Sequence, residues 1–490
     1  MTATAASETA PPRSLRDQVR SAVIWRSGTQ IFSQLVAWAS TFLVIRILSP
    51  EDYGLFAMTS VVLVLLGLVN GYGFANAVIA DRDGGDGQLR QLFGLLIVIN
   101  VALAAVQFSA APFVADYYGQ PRVADLLRVQ ALIYLTNPFL ALGYTVLSRQ
   151  MDFRRQAQVN MASAFISAVA ALAGALAGLG VWTLIVAPLA GFVSRAAGML
   201  IAARVFIWPS FDFRGSKALA SYGSVAMIGQ LFWFIQTQAD IVIAGRALPA
   251  HELGLYTTSL FLAQLFVNKV VPPLNEVAFS AYAKVQDDPA AVSEGFLKSV
   301  RVIMLLAVPF CLGLASVAEP ALHVMLGAKW LPAAPIVEVL ALAMPFMTLH
   351  VLFAPATSAV GRPGIATRSA ILGAAIMPLA FWLGVSAEGG RGIAWGWLIG
   401  YPVLTFVSAL WALPVIGVKM AQLGRAVLPP VMAGAAMALA VLALDRVVAD
   451  LSPLPRLVLL VAAGGAAYGL WLLAVARDRL LELRMLAKRG

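Results

Sequence analysis

Apolar residues run along this chain in blocks of about twenty, separated by short stretches rich in Gly, Pro, Asp and basic side chains. A helix needs about 20 such residues to cross roughly 30 Å of hydrocarbon. The blocks predict spans near 22–45, 55–79, 91–114, 124–147, 157–178 and 181–204. A second set falls near 218–244, 255–280, 296–318, 335–355, 367–385 and 393–416, and two more near 426–445 and 456–476. None of the blocks alternates as a barrel strand would, and lipid tolerates only helices and closed barrels. The expected fold class is therefore an all-α integral membrane protein of about fourteen transmembrane helices.

Composition agrees. Of the 490 residues 60% are hydrophobic and 12% charged, where a soluble domain carries about a quarter charged residues. The net charge of +10 raises nucleic acid as a partner, but no basic patch interleaved with aromatics sits on a soluble stretch, so no nucleic acid is expected. Basic residues collect instead in alternate loops: Arg149, Arg154 and Arg155, then Arg204, Arg214 and Lys217, then Lys284, Lys298 and Arg301. By the positive-inside rule those loops and both termini are cytoplasmic. Residues 1–21 then form a cytoplasmic segment, 205–217 a cytoplasmic linker and 477–490 a basic cytoplasmic tail. The first apolar block is too long for a signal h-region and lacks a clear cleavage site, so it is expected to stay as an anchor.

The chain also resembles itself. VIRILSPEDYGLFAMTS (44–60) aligns with VIAGRALPAHELGLYTTS (242–259), so that a shift of 200 brings Gln30 onto Gln230, Arg46 onto Arg246 and Gly54 onto Gly254. APFVADYYGQP (111–121) echoes AEPALHVMLGAKW (318–330), with Gly119 matching Gly327. Two six-helix lobes, 22–204 and 218–416, related by a pseudo-two-fold axis along the membrane normal would give this pattern, with the two helices of 426–476 outside it. In the turn ILSPEDYG, Ser49 suits a helix cap, Pro50 the first helical position, and Glu51 and Asp52 the positive helix end.

Against this apolar background some polar residues stand out. Arg26, Gln30 and Gln34 recur every four residues, which stacks them on one face of the first helix. Counting from the hairpin turns puts Gln30 at the depth of Asn70, and Gln230 at the depth of Lys269 with Asn268 adjacent. Lys269 lies about 16 Å from the nearer membrane boundary at about 1.5 Å per residue, beyond the roughly 6 Å reach of a snorkelling lysine. It must line a wet cavity or meet a buried partner such as Gln230. Arg26 is near enough to the cytoplasmic end to snorkel, but the amides beside it cannot. Arg195 lies about nine residues inside its span at about 1.5 Å each, and Arg128 reads as interfacial. Asp240, near the outer end of the seventh helix, has three readings: an ion pair with Arg246, a proton or cation site, or plain solvation.

Other chemistries lack their residues. Cys311 is the single cysteine, and His251, His323 and His350 have no ligand spacing, so no metal is expected. No G-x-x-x-x-G-K-[ST] motif, HExxH or Ser-His-Asp arrangement occurs, and NGYGFAN (70–76) lacks the last Gly of a dinucleotide loop and lies within a span. No cofactor and no enzyme activity are expected. Any transport would draw on an ion gradient or on the substrate's own.

RILSPEDYGLFA, DYYGQP, SRQMDFRR, ADIVIAGRALPAHELGLY and LGAKWLPAAP, in this order over roughly residues 15–420, resemble polysaccharide flippases of the multidrug/oligosaccharidyl-lipid/polysaccharide exporter superfamily. The resemblance implies two six-helix lobes in a V around a cavity that opens alternately to either side. It implies translocation of polyprenyl-diphosphate-linked oligosaccharide to the outer leaflet of the bacterial inner membrane for O-antigen, capsule or exopolysaccharide assembly. Membrane lipids, other assembly proteins and a coupling proton or sodium ion are the partners it suggests. In that fold the first, second, seventh and eighth helices face the cavity, and these carry Arg26, Gln30, Asn70, Gln230 and Lys269. Cations there suit an anionic diphosphate and amides suit sugar hydroxyls. The competing readings are a cation-coupled multidrug exporter, a peptidoglycan lipid-precursor flippase and a non-transporting scaffold. The deep charges are mainly positive, which disfavours an exporter of cations.

Overall fold

The computed structural model describes residues 34–68, 86–212 and 217–475, with no strand among them. Arg26, Gln30, Asn70, the 1–21 segment and the 477–490 tail lie outside the described residues. The first half of the repeat supplies α1 (Gln34–Ile47), α2 (Pro50–Gly67), α3 (Asp86–Tyr118), α4 (Arg122–Gln130), α5 (Leu132–Arg149), α6 (Phe153–Leu176) and α7 (Trp182–Ala203). The second supplies α8 (Lys217–Ala247), α9 (Ala250–Ala263), α10 (Leu265–Lys269), α11 (Val271–Lys284), α12 (Pro289–Ser316) and α13 (Ala318–Met325). It continues with a 3-10 turn (Ala328–Ala333), α14 (Ala334–Val351), α15 (Phe353–Ala359) and α16 (Gly364–Ile416); α17 (Met420–Val447) and α18 (Pro453–Val475) follow. Among the described residues ten helical stretches are long and apolar enough to cross a membrane, and α1 adds a shorter apolar one.

Local sequence explains where these helices start and break. Ser49 caps α2 as a capping box, its hydroxyl accepting from the Asp52 amide at 3.2 Å while the Asp52 carboxylate accepts from the Ser49 amide at 2.9 Å. Within α16, Glu388 and Gly389 leave helical geometry, and Gly389 takes φ 57°, which costs a residue without Cβ least. The arms fold back on each other: a Cβ on Gly392 would overlap the backbone of Gly384, and one on Gly396 would meet Ala380. The hairpin accounts for the two spans expected at 367–385 and 393–416. The eighth span differs from its expectation as one helix over 255–280. It breaks at Gln264 and again at Val270, ahead of Pro272 and Pro273, whose rings lack an N–H and crowd the preceding turn. Lys269 is the last residue before the second break.

The chain forms two compact units that do not coincide with the sequence halves. One draws on residues up to Val44, the stretch ending at Ser109 and the stretch from Arg128 through α7. Its core is Leu89, Phe93, Leu140, Val146, Leu147, Ala196 and Met199. The other joins residues 45–68 and Ala110–Leu127 to the chain from Ala220 on. In it α2 packs along α9 at a crossing that leaves no room for side chains. A Cβ on Gly54 would overlap the Ala250 carbonyl, and a Cβ on Gly254 the Pro50 carbonyl. Positions 54 and 254, like 50 and 250, are repeat partners, so the contact is its own mirror under the repeat.

The larger core of this second unit runs down one face of α12 through Val292, Phe296, Val300, Ile303, Ala307 and Val308, against Phe353, Ala409, Leu413 and Ile416. The last two helices, outside the repeat, dock on the same unit. Met437 and Val441 of α17 meet Leu460 of α18, and the Tyr468 hydroxyl donates to the Leu305 carbonyl at 2.8 Å. Arg456 forks onto Asp445 at 2.7 and 2.9 Å, with Glu319 at 3.8 Å. Large apolar side chains such as Phe113 (75% exposed) and Ile201 (76%) cover the outside of the spans, as expected of helices whose solvent is hydrocarbon.

Candidate functional site

The first unit holds a cavity of about 650 Å³ built from α1, α5, α6 and α7. On α6, Gln156, Asn160, Ser163 and Ser167 follow one another at steps of four, three and four, which keeps them on one face. Close packing of α6 on α7 positions that face: a Cβ on Gly191 would press on Ser167 and one on Gly198 on Val159. α7 contributes Arg195, α5 Tyr144 and α1 Gln34, while Phe153, Pro188 and Phe192 supply apolar wall.

Several of these polar groups are already held. Gln156 donates to the Ser148 hydroxyl at 2.9 Å, Ser167 to the Ala187 carbonyl at 3.0 Å, and Ser163 to the Val159 carbonyl at 2.8 Å. Two are not: Asn160 Oδ1 and Arg195 Nε are buried without a hydrogen-bond partner. Buried polar atoms are nearly always paired, and an unpaired one costs about 1–3 kcal/mol. A cavity lined by one cation, side-chain amides, hydroxyls and aromatic wall suits a polar anion. Arg195 is the single charged residue among those lining it.

The structure thus brings together two of the residues singled out from sequence, Gln34 and Arg195. It adds Tyr144, Gln156, Asn160, Ser163 and Ser167, which that reading missed. Of the remaining candidates, those among the described residues (Gln230, Asn268, Lys269 and Asp240) belong to the second unit. Gln230, Asn268 and Lys269 are exposed there, and Asn268 Nδ2 donates to Gln264 Oε1 at 3.2 Å. Lys269 sits at a helix break with its side chain exposed, which removes the buried-partner reading. Arg128, expected at the interface, lies over the Phe108 ring at 5.4 Å.

Asp240 departs from two of its three expectations. It is fully buried, so it is not solvated, and Arg246 turns away to the carbonyls of Asp116 and Tyr117. The Tyr256 hydroxyl donates to Asp240 Oδ2 at 2.6 Å and in turn accepts from the Trp397 indole N–H at 2.7 Å. Trp397 stacks on Tyr401 with ring centroids 5.0 Å apart, and Gln236 is buried one turn before Asp240, fitting where Gly373 has no side chain. A carboxyl inside an aromatic cage with a hydroxyl donor can hold a proton or a small cation.

The family profile described as "Polysaccharide biosynthesis protein" matches residues 43–335. The chain is 28% identical to the succinoglycan biosynthesis transport protein ExoT of Rhizobium meliloti (strain 1021), over 75% of this chain and 74% of that protein. It is 26% identical to the teichuronic acid biosynthesis protein TuaB of Bacillus subtilis (strain 168), over 81% and 83%. Among solved structures the lipid II flippase MurJ in an inward closed conformation superposes with a TM-score of 0.74 at 12% identity, covering 94% of this chain and all of that one. That likeness concerns the fold.

Proposed function

Because this chain belongs to the polysaccharide biosynthesis protein family, we propose that it is a flippase for a lipid-linked oligosaccharide in surface polysaccharide assembly. It works as a transporter rather than an enzyme. Its substrate is an oligosaccharide on polyprenyl diphosphate, moved by alternating access from the cytoplasmic to the outer leaflet of the bacterial inner membrane, with both termini cytoplasmic. The observation that carries the reading is the polar cavity of the first unit, lined by the Arg195 cation and the polar stripe Gln156, Asn160, Ser163 and Ser167 in a protein otherwise clothed for lipid. Arg195 would meet a phosphate oxygen, for a charge-assisted bond is roughly twice as strong as a neutral one. Gln34, Gln156 and Asn160 suit sugar hydroxyls, while the lipid tail stays in hydrocarbon.

Lys269, exposed at a mid-span helix break, is the second cation in this reading, with Gln230 and Asn268 near it in sequence depth. Arg26, Gln30 and Asn70, outside the described residues, keep the headgroup-binding role expected of them from the sequence. Asp240 is the site for the coupling proton or sodium ion, its cage shielding the charge state from bulk water. Two relatives named for succinoglycan and teichuronic acid biosynthesis support a surface glycan over a peptidoglycan precursor as the cargo.

The test uses proteoliposomes holding a fluorescent polyprenyl-diphosphate glycan and follows its change of leaflet. Arg195→Ala should slow flipping by about tenfold or more, and Arg195→Lys less, since lysine keeps the charge but not the planar fork. Wild-type flipping by correctly folded Arg195→Ala protein would overturn the reading.

A further inference from the structure

An α-helix leaves its last four carbonyls without intrahelical partners, and they carry the negative end of its dipole. Basic side chains near a C-terminus usually serve their own helix. Arg46 and Arg246, repeat partners 200 residues apart, each sit one residue before the end of their own helix and serve another. Arg46 donates to the Val324 carbonyl at 3.0 Å, at the end of α13 in the second half. Arg246 donates to the Asp116 carbonyl at 3.4 Å and to that of Tyr117, at the end of α3 in the first half, with its guanidinium over the Tyr117 ring. The acceptors correspond as well: Asp116 and Val324 each stand three residues before the matched glycines Gly119 and Gly327. The exchange is reciprocal, first half onto second and second half onto first.

Further bonds run the same way at this end of the molecule. Lys329 Nζ donates to the Ile47 carbonyl at 2.8 Å and the Trp330 indole to the Ile45 carbonyl at 3.0 Å, so the C-terminus of α1 is finished by second-half residues. Both arginines are nevertheless exposed. Water can replace either partner, so these bonds can open and re-form without stranding a buried charge. The buried Trp330 indole lacks that freedom.

We propose that Arg46 and Arg246 form a two-point latch that holds the first-half and second-half segments of the second unit together at this end in one access state and releases in the other. The proposal rests on the alternating-access reading with cytoplasmic termini, an orientation that makes that end the outer one. Each arginine adds a charge-assisted bond to the latched state only, and its loss shifts the latched-to-open ratio by about tenfold or more.

The experiment reads conformation, without substrate, on the full chain in nanodiscs. Spin labels are placed at Gln120→Cys in the first half and His251→Cys in the second; the native Cys311 is buried and can stay. Pulsed electron-electron distances should show a dominant short population in the parent. Arg46→Ala and Arg246→Ala should each enlarge a longer-distance population about tenfold or more in ratio, the double variant further, and the lysine variants less. Raising salt on the parent should push in the same direction, because both contacts are exposed to screening. Alanine variants that keep the parental distances, or that lose thermal stability with the ratio unchanged, would show simple helix caps and overturn the latch. Should the alanine variants not accumulate, the salt series decides, and distances indifferent to salt reject it. A negative flipping assay would leave these distances untouched, so the two readings fail separately.

Discussion

At the scale of single residues, the two buried sites ask for different tests. In the second unit, Tyr256→Phe removes the one hydroxyl donated to Asp240 and leaves the Trp397 indole without its acceptor. The loss should be about 1–3 kcal/mol, read as a lower unfolding temperature in detergent. Asp240→Asn keeps the shape and removes the titrating group, so transport should persist at a reduced rate but no longer respond to an imposed proton or sodium gradient. A gradient response unchanged in Asp240→Asn would remove Asp240 from coupling. Part of this chemistry was legible beforehand. Arg195, Gln34 and Asp240 stand out because an apolar span has no other use for them. Gln156 and Asn160 did not, because they stand at the entry of the span expected over 157–178, directly after the basic turn SRQMDFRR, where a polar side chain reads as interfacial. The signal was the four-three-four spacing that carries the stripe on to Ser163 and Ser167. Exposure was not legible for Lys269, since depth along an ideal helix says nothing about which way a broken helix faces.

At the scale of elements, the tightest constraint is the crossing of α2 and α9. Gly54→Val should drive a side chain into the Ala250 carbonyl, and Gly254→Val into that of Pro50. Either helix must then retreat, and the folded protein recovered from membranes should fall to a small fraction of the parent. Gly67→Ala, where an added Cβ meets nothing, is the control and should leave yield unchanged or raise it slightly, by about the 1 kcal/mol that separates Gly from Ala in a helix. Monodisperse yield on gel filtration checks both. The helices themselves were largely legible, because hydrophobic length is set by bilayer thickness and Ser49, Pro50 and Asp52 spell out a cap. The breaks at Gln264 and Val270 were not, although Pro272 and Pro273 were in view. A proline pair inside an apolar run was absorbed into the span, where it should have ended one helix and started another.

At the scale of the molecule, the repeat was legible as an alignment, but the two compact units cut across it. Residues 45–68 and Ala110–Leu127 are first-half sequence that packs in the second unit. An alignment detects common ancestry and carries no record of which surfaces later meet. The placement of α17 and α18 was equally hidden, for they have no repeat partner to compare. The structure anchors them through Arg456, Asp445 and Tyr468. Arg456→Ala should strip Asp445 of its two bonds, lower the unfolding temperature in step with a loss of about 1–3 kcal/mol, and quicken protease cleavage in the turn at 448–452. Unchanged cleavage would mean that apolar docking alone holds the pair. The α2–α9 crossing also bears on biogenesis. Translation at about 5–20 residues per second brings out position 254 roughly 10–40 s after position 54. For that interval the ridge around Gly54 is threaded into the bilayer with its mate still unmade, so early quality control in this protein must tolerate a bare glycine face that a finished copy never shows.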